Sequence, residues 1–177
     1  MKKIIVTAVV GIALFIWFRA GIGRDAEWGA VLKSIRARYP DVRQVPTDSL
    51  AMWLQKPDSK VVLLDVRTSA EYRVSHIRGA INISPDATEF PVLDSVPRDA
   101  RIVAYCSVGY RSSEIASALA KKGFTNVANL EGSVFKWANE GRPLTNGDGR
   151  TDEVHPYNAL WGRLLDKSHR ASVPDEK

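Results

Sequence analysis

The chain has 177 residues, a net charge of +5 and a pI near 9.4. That length fits one domain with flanking segments and leaves no room for several large domains. One cysteine excludes an internal disulfide, and the chain carries no repeat and no low-complexity tract.

Met1-Lys2-Lys3 precedes an uncharged, mostly apolar run from Ile4 to Phe18. As a helix such a run spans ~22 Å, short of a ~30 Å hydrocarbon core. It reads as a short membrane anchor or as a signal-peptide core. Lys2 and Lys3 favour an inside N-terminus and an exported domain, while Arg19, Arg24, Lys33, Arg36 and Arg38 pull the other way. The expected localisation is a membrane-anchored single-pass or exported protein, with the extracytoplasmic side slightly favoured. The expected organisation is a membrane segment over 1–20, a basic linker over 21–43, a domain over 44–144 and an extension over 145–177.

Within the linker, Trp28, Val31, Leu32 and Ile35 have amphipathic helical spacing. That stripe suits packing on the domain somewhat better than a membrane surface. The basic charge gathers in this part of the chain with no nucleic-acid motif, so no nucleic-acid partner is expected. Anionic lipid headgroups or small anionic ligands account for it equally well.

Thr47-Asp48-Ser49 can cap a short helix to about Leu54. Val61 to Asp65 reads as a strand, followed by a helix from about Ala70, a short strand at Ala80 to Ile83 and a strand at Ile102 to Tyr105. A helix from Ser112 and a strand at Val127 to Asn129 come next. Alternation of this kind implies a parallel sheet covered by helices.

Cys106 ends the apolar run Arg101-Ile102-Val103-Ala104-Tyr105 and opens the loop Cys106-Ser107-Val108-Gly109-Tyr110-Arg111. A helix follows at once. N–H groups at a helix start, the helix dipole and Arg111 all favour negative charge there. The same field stabilises a thiolate, which is the nucleophilic form of cysteine. A free cysteine is more often a small buried hydrophobe, but the flanking Ser, Gly and Arg argue against that role here. Ser107 and Ser112 can each cap the following helix. Tyr110 is expected at the wall or mouth of a pocket.

Three segments resemble the rhodanese family of sulfurtransferases. Cys106-Ser107-Val108-Gly109-Tyr110-Arg111-Ser112 is similar to that family's Cys-x-x-Gly-x-Arg-Ser loop. Leu63-Leu64-Asp65-Val66-Arg67 with Glu71-Tyr72, running on to His76-Ile77-Arg78-Gly79-Ala80-Ile81-Asn82-Ile83, resembles its upstream segment. Gly123-Phe124, Val127 to Ser133 and Trp137 resemble its closing strand, Gly-rich turn and last helix. Ser75 departs from the family's usual Gly before the His.

The resemblance implies an α/β fold of the rhodanese-like three-layer type, a central parallel sheet with helices on both faces. It implies a sulfurtransferase that carries sulfur as a Cys106 persulfide, with no cofactor. Cys106 and Arg111 are the implied catalytic residues, and Arg111 is expected either to face a donor anion or to brace the loop. Ser107, Val108, Gly109, Tyr110, Ser112, Asp65 and Arg67 are the implied substrate-binding residues. An ion pair of Arg67 with Glu71 and a structural hydrogen bond from His76 are expected. The implied partners are a small sulfur donor, thiosulfate or a persulfide, and a thiol acceptor, with a protein cysteine among the candidates. Membrane contact through residues 4–18 completes the set.

Four residues separate Cys106 from Arg111. Related phosphatases use one more, and the shorter ring suits the outer sulfur of a persulfide better than phosphate. Oxyanion chemistry, as in a phosphatase or arsenate reductase, is therefore a weaker alternative. A non-catalytic binding module is a third, kept open by the apolar, aromatic stretch Val154 to Leu165, which suits docking on the domain or on a partner. Asp148, Asp152 and His155 fit no standard metal spacing, so no metal is expected. Asp166 to Lys177 reads as disordered.

Overall fold

The structure is a computed structural model that describes residues 23–172. Residues 23–38 are helical and form α1. Its residues Trp28, Val31 and Ile35 recur at three- and four-residue steps, which puts them on one face. That face lies on the body of the protein: Ile35 is buried, and Trp28 and Val31 pack against the core.

The sheet contains β1 (Arg43–Val45), β2 (Val61–Asp65), β3 (Ile81–Asn82), β4 (Arg101–Tyr105) and β5 (Val127–Leu130). Their spatial order is β1-β5-β4-β2-β3, and every pairing is parallel. β2 and β4 are apolar almost throughout because both of their faces are covered. Successive residues alternate between two cores. Leu63, Val103 and Tyr105 enter one cluster, with Leu130, Phe135 and Trp137. Leu64, Ile102 and Ala104 enter the other, with Ile115, Leu119 and Phe124.

The helices are α2 (Thr47–Leu54), α3 (Ser69–Val74), α4 (Tyr110–Lys121) and α5 (Ser133–Asn139). The fold is therefore the expected α/β type, a central five-stranded parallel sheet with helices on its faces. α3 opens with a capping box: Glu71 N–H donates to Thr68 Oγ1 at 3.2 Å, and Thr68 N–H donates to Glu71 Oε2 at 3.0 Å. α2 starts without the expected hydroxyl cap, after Pro46. The fixed φ of Pro46 already sets the chain at the entry to the helix.

Several expectations are corrected. Among the described residues no helix is long and apolar enough to cross a membrane. The membrane-anchored or exported localisation rested on residues 4–18, which lie outside the described residues, and it is withdrawn. The turn-rich stretch after Leu144 is not a simple break. Leu144–Asn146 (β6) and Gly149–Thr151 (β7) pair antiparallel around it. Asp148 N–H donates to Asn146 Oδ1 at 2.9 Å and closes the turn.

Residues 166–172 are not disordered. Val154 N–H donates to His169 O and Ala171 N–H donates to Val154 O, while Arg170 donates twice to Leu165 O. The bonds to Val154 join residues distant in sequence, so local composition gave no sign of them. The stretch expected to dock does so on the domain itself: Val154, Leu164 and Leu165 are buried in the first core cluster.

Candidate active site

Cys106 follows β4, the middle strand of the sheet, on the carboxyl side where open α/β sheets place their ligands. The loop turns through Gly109, whose φ is +124°. A Cβ there would stand 3.1 Å from both Asn129 Nδ2 and Ile35 Cδ1. Only glycine meets both constraints without strain.

Gly109 is also the residue that caps α4, with no side-chain cap bond. The expected serine caps are thus corrected. Ser107 Oγ donates to Glu71 Oε1 at 3.0 Å, and Ser112 Oγ donates to Asn129 Oδ1 at 2.6 Å. Ser107 lies two residues before the cap, and Ser112 already lies inside the helix.

α5 fixes the other side of the loop. Val134 N–H donates to Cys106 O and Phe135 N–H donates to Ser107 O, each at 3.1 Å. Cys106 N–H donates to Ser133 Oγ, also at 3.1 Å. Because a trans peptide sets N–H opposite C=O, these bonds turn the N–H groups of Ser107 and Val108 away from α5. The loop thus has one side of carbonyls bound to α5 and another side of donors.

Cys106 is buried, and its Sγ accepts the Gly109 N–H at 3.2 Å. Burial alone would push the thiol pKa up. The Arg111 charge, with the backbone N–H groups of Ser112 and Gly109, outweighs it, and the thiol sits below its ordinary value. The site thus favours the thiolate more than an ordinary cysteine does.

Arg111 holds Glu71 in a two-pronged grip, Nη1 to Oε2 at 2.9 Å and Nη2 to Oε1 at 2.8 Å. Nη2 also donates to Ser107 Oγ at 3.0 Å. Burial works against the ionised Glu71. The hydrogen bonds and charge of Arg111, with the Thr68 N–H, overcome it and hold the carboxyl at about 2. Of the two expectations for Arg111, the geometry displays the brace: the side chain ties the loop to α3 while its charge still reaches the sulfur.

Asp65 and Arg67 are fully buried and do not line the cavity beside Cys106. Arg67 binds Asp65 through Nε and Nη2 and gives a further bond to Ser75 O. The expected Arg67–Glu71 pair is therefore corrected, because Asp65 is in two-pronged reach of Arg67 and Glu71 is taken by Thr68 and Arg111. His76 Nδ1 lies 3.0 Å from Tyr72 O, and its ring stacks on Tyr72 with centroids 3.8 Å apart. Ser75, in place of the usual Gly, has an extended backbone that any residue adopts.

A cavity of about 140 Å³ opens at the sulfur. Cys106, Ser107, Val108, Tyr110, Arg111, Tyr157 and Trp161 line it. Sequence reasoning missed Glu71, Asn129, Ser133, Tyr157 and Trp161 as members of the site. Glu71 carried a usable signal, since Thr68-x-x-Glu71 is a capping-box pattern. The others arrive through tertiary contacts with no local pattern.

A parallel sheet with a low-pKa cysteine at the end of its middle strand, under a short arginine-braced loop, defines a class of thiolate sites on α/β domains. Residues 47–140, more than half of the chain, match the rhodanese-like domain family, and the chain belongs to it. It is 31% identical over 114 residues to a sulfurtransferase of Allochromatium vinosum, covering 61% of this chain and 99% of that protein. It is 36% identical over 135 residues to a tRNA uridine(34) hydroxylase of Staphylococcus epidermidis, covering 68% of this chain and 41% of the relative. The crystal structure of a rhodanese-like domain protein from Staphylococcus aureus superposes with a TM-score of 0.51 at 28% identity, covering 59% of this chain and 98% of that one. The chain is a rhodanese-like domain with sulfurtransferases among its relatives.

Proposed function

We propose that this protein is a sulfurtransferase that moves sulfane sulfur from thiosulfate to a thiophilic acceptor through a persulfide on Cys106. The carrying observation is the position of Cys106, its thiol pKa lowered by Arg111 and by the donors of the Gly109–Ser112 turn. The name of the Allochromatium vinosum relative supports the same reading.

In the first step the Cys106 thiolate attacks the outer sulfur of thiosulfate. The new S–S bond forms as the donor's S–S bond breaks, and sulfite leaves with that electron pair. Cys106 then carries a terminal sulfur with one negative charge. In the second step cyanide, or a thiolate, attacks that sulfur and the Cys106 thiolate is released. This is covalent catalysis in two half-reactions, with ping-pong kinetics. The loop donors from Ser107 to Ser112 hold the charge of the outer sulfur, with Val108, Gly109 and Tyr110 shaping the ring around it. Arg111 holds the ring closed against Glu71. The approach of a dianion is favoured by the same Arg111 charge that lowers the thiol pKa.

Intact-mass spectrometry after incubation with thiosulfate tests the reading. The expected result is a gain of one sulfur on the wild type, none on Cys106→Ser, and its loss on adding cyanide. A folded wild type that gains no sulfur would overturn it.

A further inference from the structure

Two aromatic side chains that line the cavity beside Cys106 come from a segment outside the matched family region of residues 47–140. Tyr157 lays its ring 4.8 Å from the Arg111 guanidinium carbon, and Trp161 meets Tyr110 edge-on at 5.9 Å between centroids. Together they form part of the cavity wall, against Arg111 and Tyr110 of the loop.

The strap that carries them is anchored at both ends. Val154 and Leu165 are buried. Asn139 Nδ2 donates to Leu164 O, and Asp166 N–H donates to Asn139 Oδ1, both at 2.8 Å. Between the anchors the chain turns sharply: Asn158 N–H donates to Pro156 O at 2.9 Å and Gly162 N–H to Asn158 O at 2.8 Å. Trp161 N–H donates to Asn158 Oδ1 at 3.0 Å. Tyr157 sits at φ +66°, a conformation costly for a bulky side chain, and its N–H is held by His155 Nδ1 at 3.0 Å. The local backbone opposes this placement and the anchors enforce it. Yet Tyr157 stays 45% exposed, so core packing is not what it supplies.

We infer that Tyr157 and Trp161 are specificity-determining residues that form a size filter, admitting slender nucleophiles to the sulfur on Cys106 and holding back bulky thiols such as tripeptides or cysteines on folded proteins. The cavity of about 140 Å³ admits a few small atoms beside a sulfur that is itself buried. The inference rests on the persulfide reading for its acceptors, but the filter also acts on any reagent that attacks this thiol.

Cys106 is the only cysteine, so alkylation reports on it alone. Its rates with iodoacetamide and with fluorescein maleimide are compared, each relative to free cysteine. Tyr157→Gly removes the ring and accepts the positive φ, so it leaves the backbone unstrained. Tyr157→Gly, and further Tyr157→Gly with Trp161→Ala, are expected to raise the maleimide rate about tenfold relative to the iodoacetamide rate, the scale on which pocket walls discriminate by size. Tyr157→Phe is expected to behave as wild type. On the preformed persulfide, transfer to glutathione should rise relative to transfer to cyanide in the same variants. An unchanged rate ratio in Tyr157→Gly would overturn the filter, as would glutathione transfer that falls. If thiosulfate adds no sulfur to the wild type, the persulfide reading fails, and the alkylation ratio still decides the filter.

Discussion

Two arginine–carboxylate pairs stand near the carboxyl ends of neighbouring strands and differ in almost everything but their geometry. Arg67 and Asp65 are closed off on all sides, both side chains at 0% exposure. Arg111 and Glu71 have the same two-pronged contact, at 22% and 2%. Around the first pair lie Ser75 O, Tyr105 and the backbone of the pair's own turn. Around the second lie a thiol, a cavity and two hydroxyls. The geometry of an ion pair therefore says little about its use. A closed pair fixes the end of β2, whereas a pair with one open flank extends its charge to a reacting atom.

Breaking the closed pair has the largest expected effect. Asp65→Leu leaves Arg67 charged and unpaired, at a cost of roughly 3–5 kcal/mol in denaturant unfolding. Asp65→Leu with Arg67→Met should recover most of that loss, because an apolar pair of similar volume avoids both desolvation costs. A single variant that loses under about 1 kcal/mol would sink the distinction between the pairs.

Glu71→Gln keeps the shape and removes the charge. Its stability loss is expected at about 1–3 kcal/mol, smaller than for Asp65→Leu. Its rate of sulfur loading should fall on the order of 10²-fold, the cost of letting a catalytic group shift by about 1 Å. A large stability loss with full activity would reverse the roles assigned to the two pairs.

Acid sharpens the comparison further. Folding lowers the Glu71 carboxyl from 4.5 to about 2. A lowered folded-state pKa adds stability that is complete above the unfolded value and disappears as pH falls through the folded one. Thermal melting should therefore lose ground between pH 4.5 and about 2 in the wild type, and less in Glu71→Gln.

The smallest effect is on the thiol. Arg111→Met removes the leading cause that holds the Cys106 pKa down. The pH midpoint of iodoacetamide alkylation should move up in Arg111→Met and stay near the wild-type position in the Asp65→Leu, Arg67→Met pair. A midpoint that follows the closed pair instead would show that its field also reaches the sulfur.

The sheet and Cys106 were legible because both follow local rules. Apolar runs of strand length, turn residues between them and a Cys-to-Arg loop ahead of a helix all lie in short stretches. The partners of hydroxyls and charges were not legible. Ser107 and Ser112 had plausible backbone partners in the helix that follows, and each chose another set by tertiary packing, while Arg67 passed over Glu71 for Asp65, two residues back in its own turn. Tyr157 and Trp161 were visible only as an aromatic stretch that had to dock somewhere. Residues 166–172 looked like a loose end because the bridge between Val154 and Arg170 spans the strap.

Ile35 deserves a last consequence. In sequence it belongs to a basic linker; in space its Cδ1 closes the back of Gly109. An apolar plug at that point keeps water off the rear of the loop. Electrostatic attraction strengthens as the local dielectric falls, so this methyl group insulates the field that Arg111 exerts on the sulfur. Residues 23–38 thus work as insulation for the nucleophile, and a chain shortened to begin at residue 44 would keep every charged group of the site while weakening the force between them.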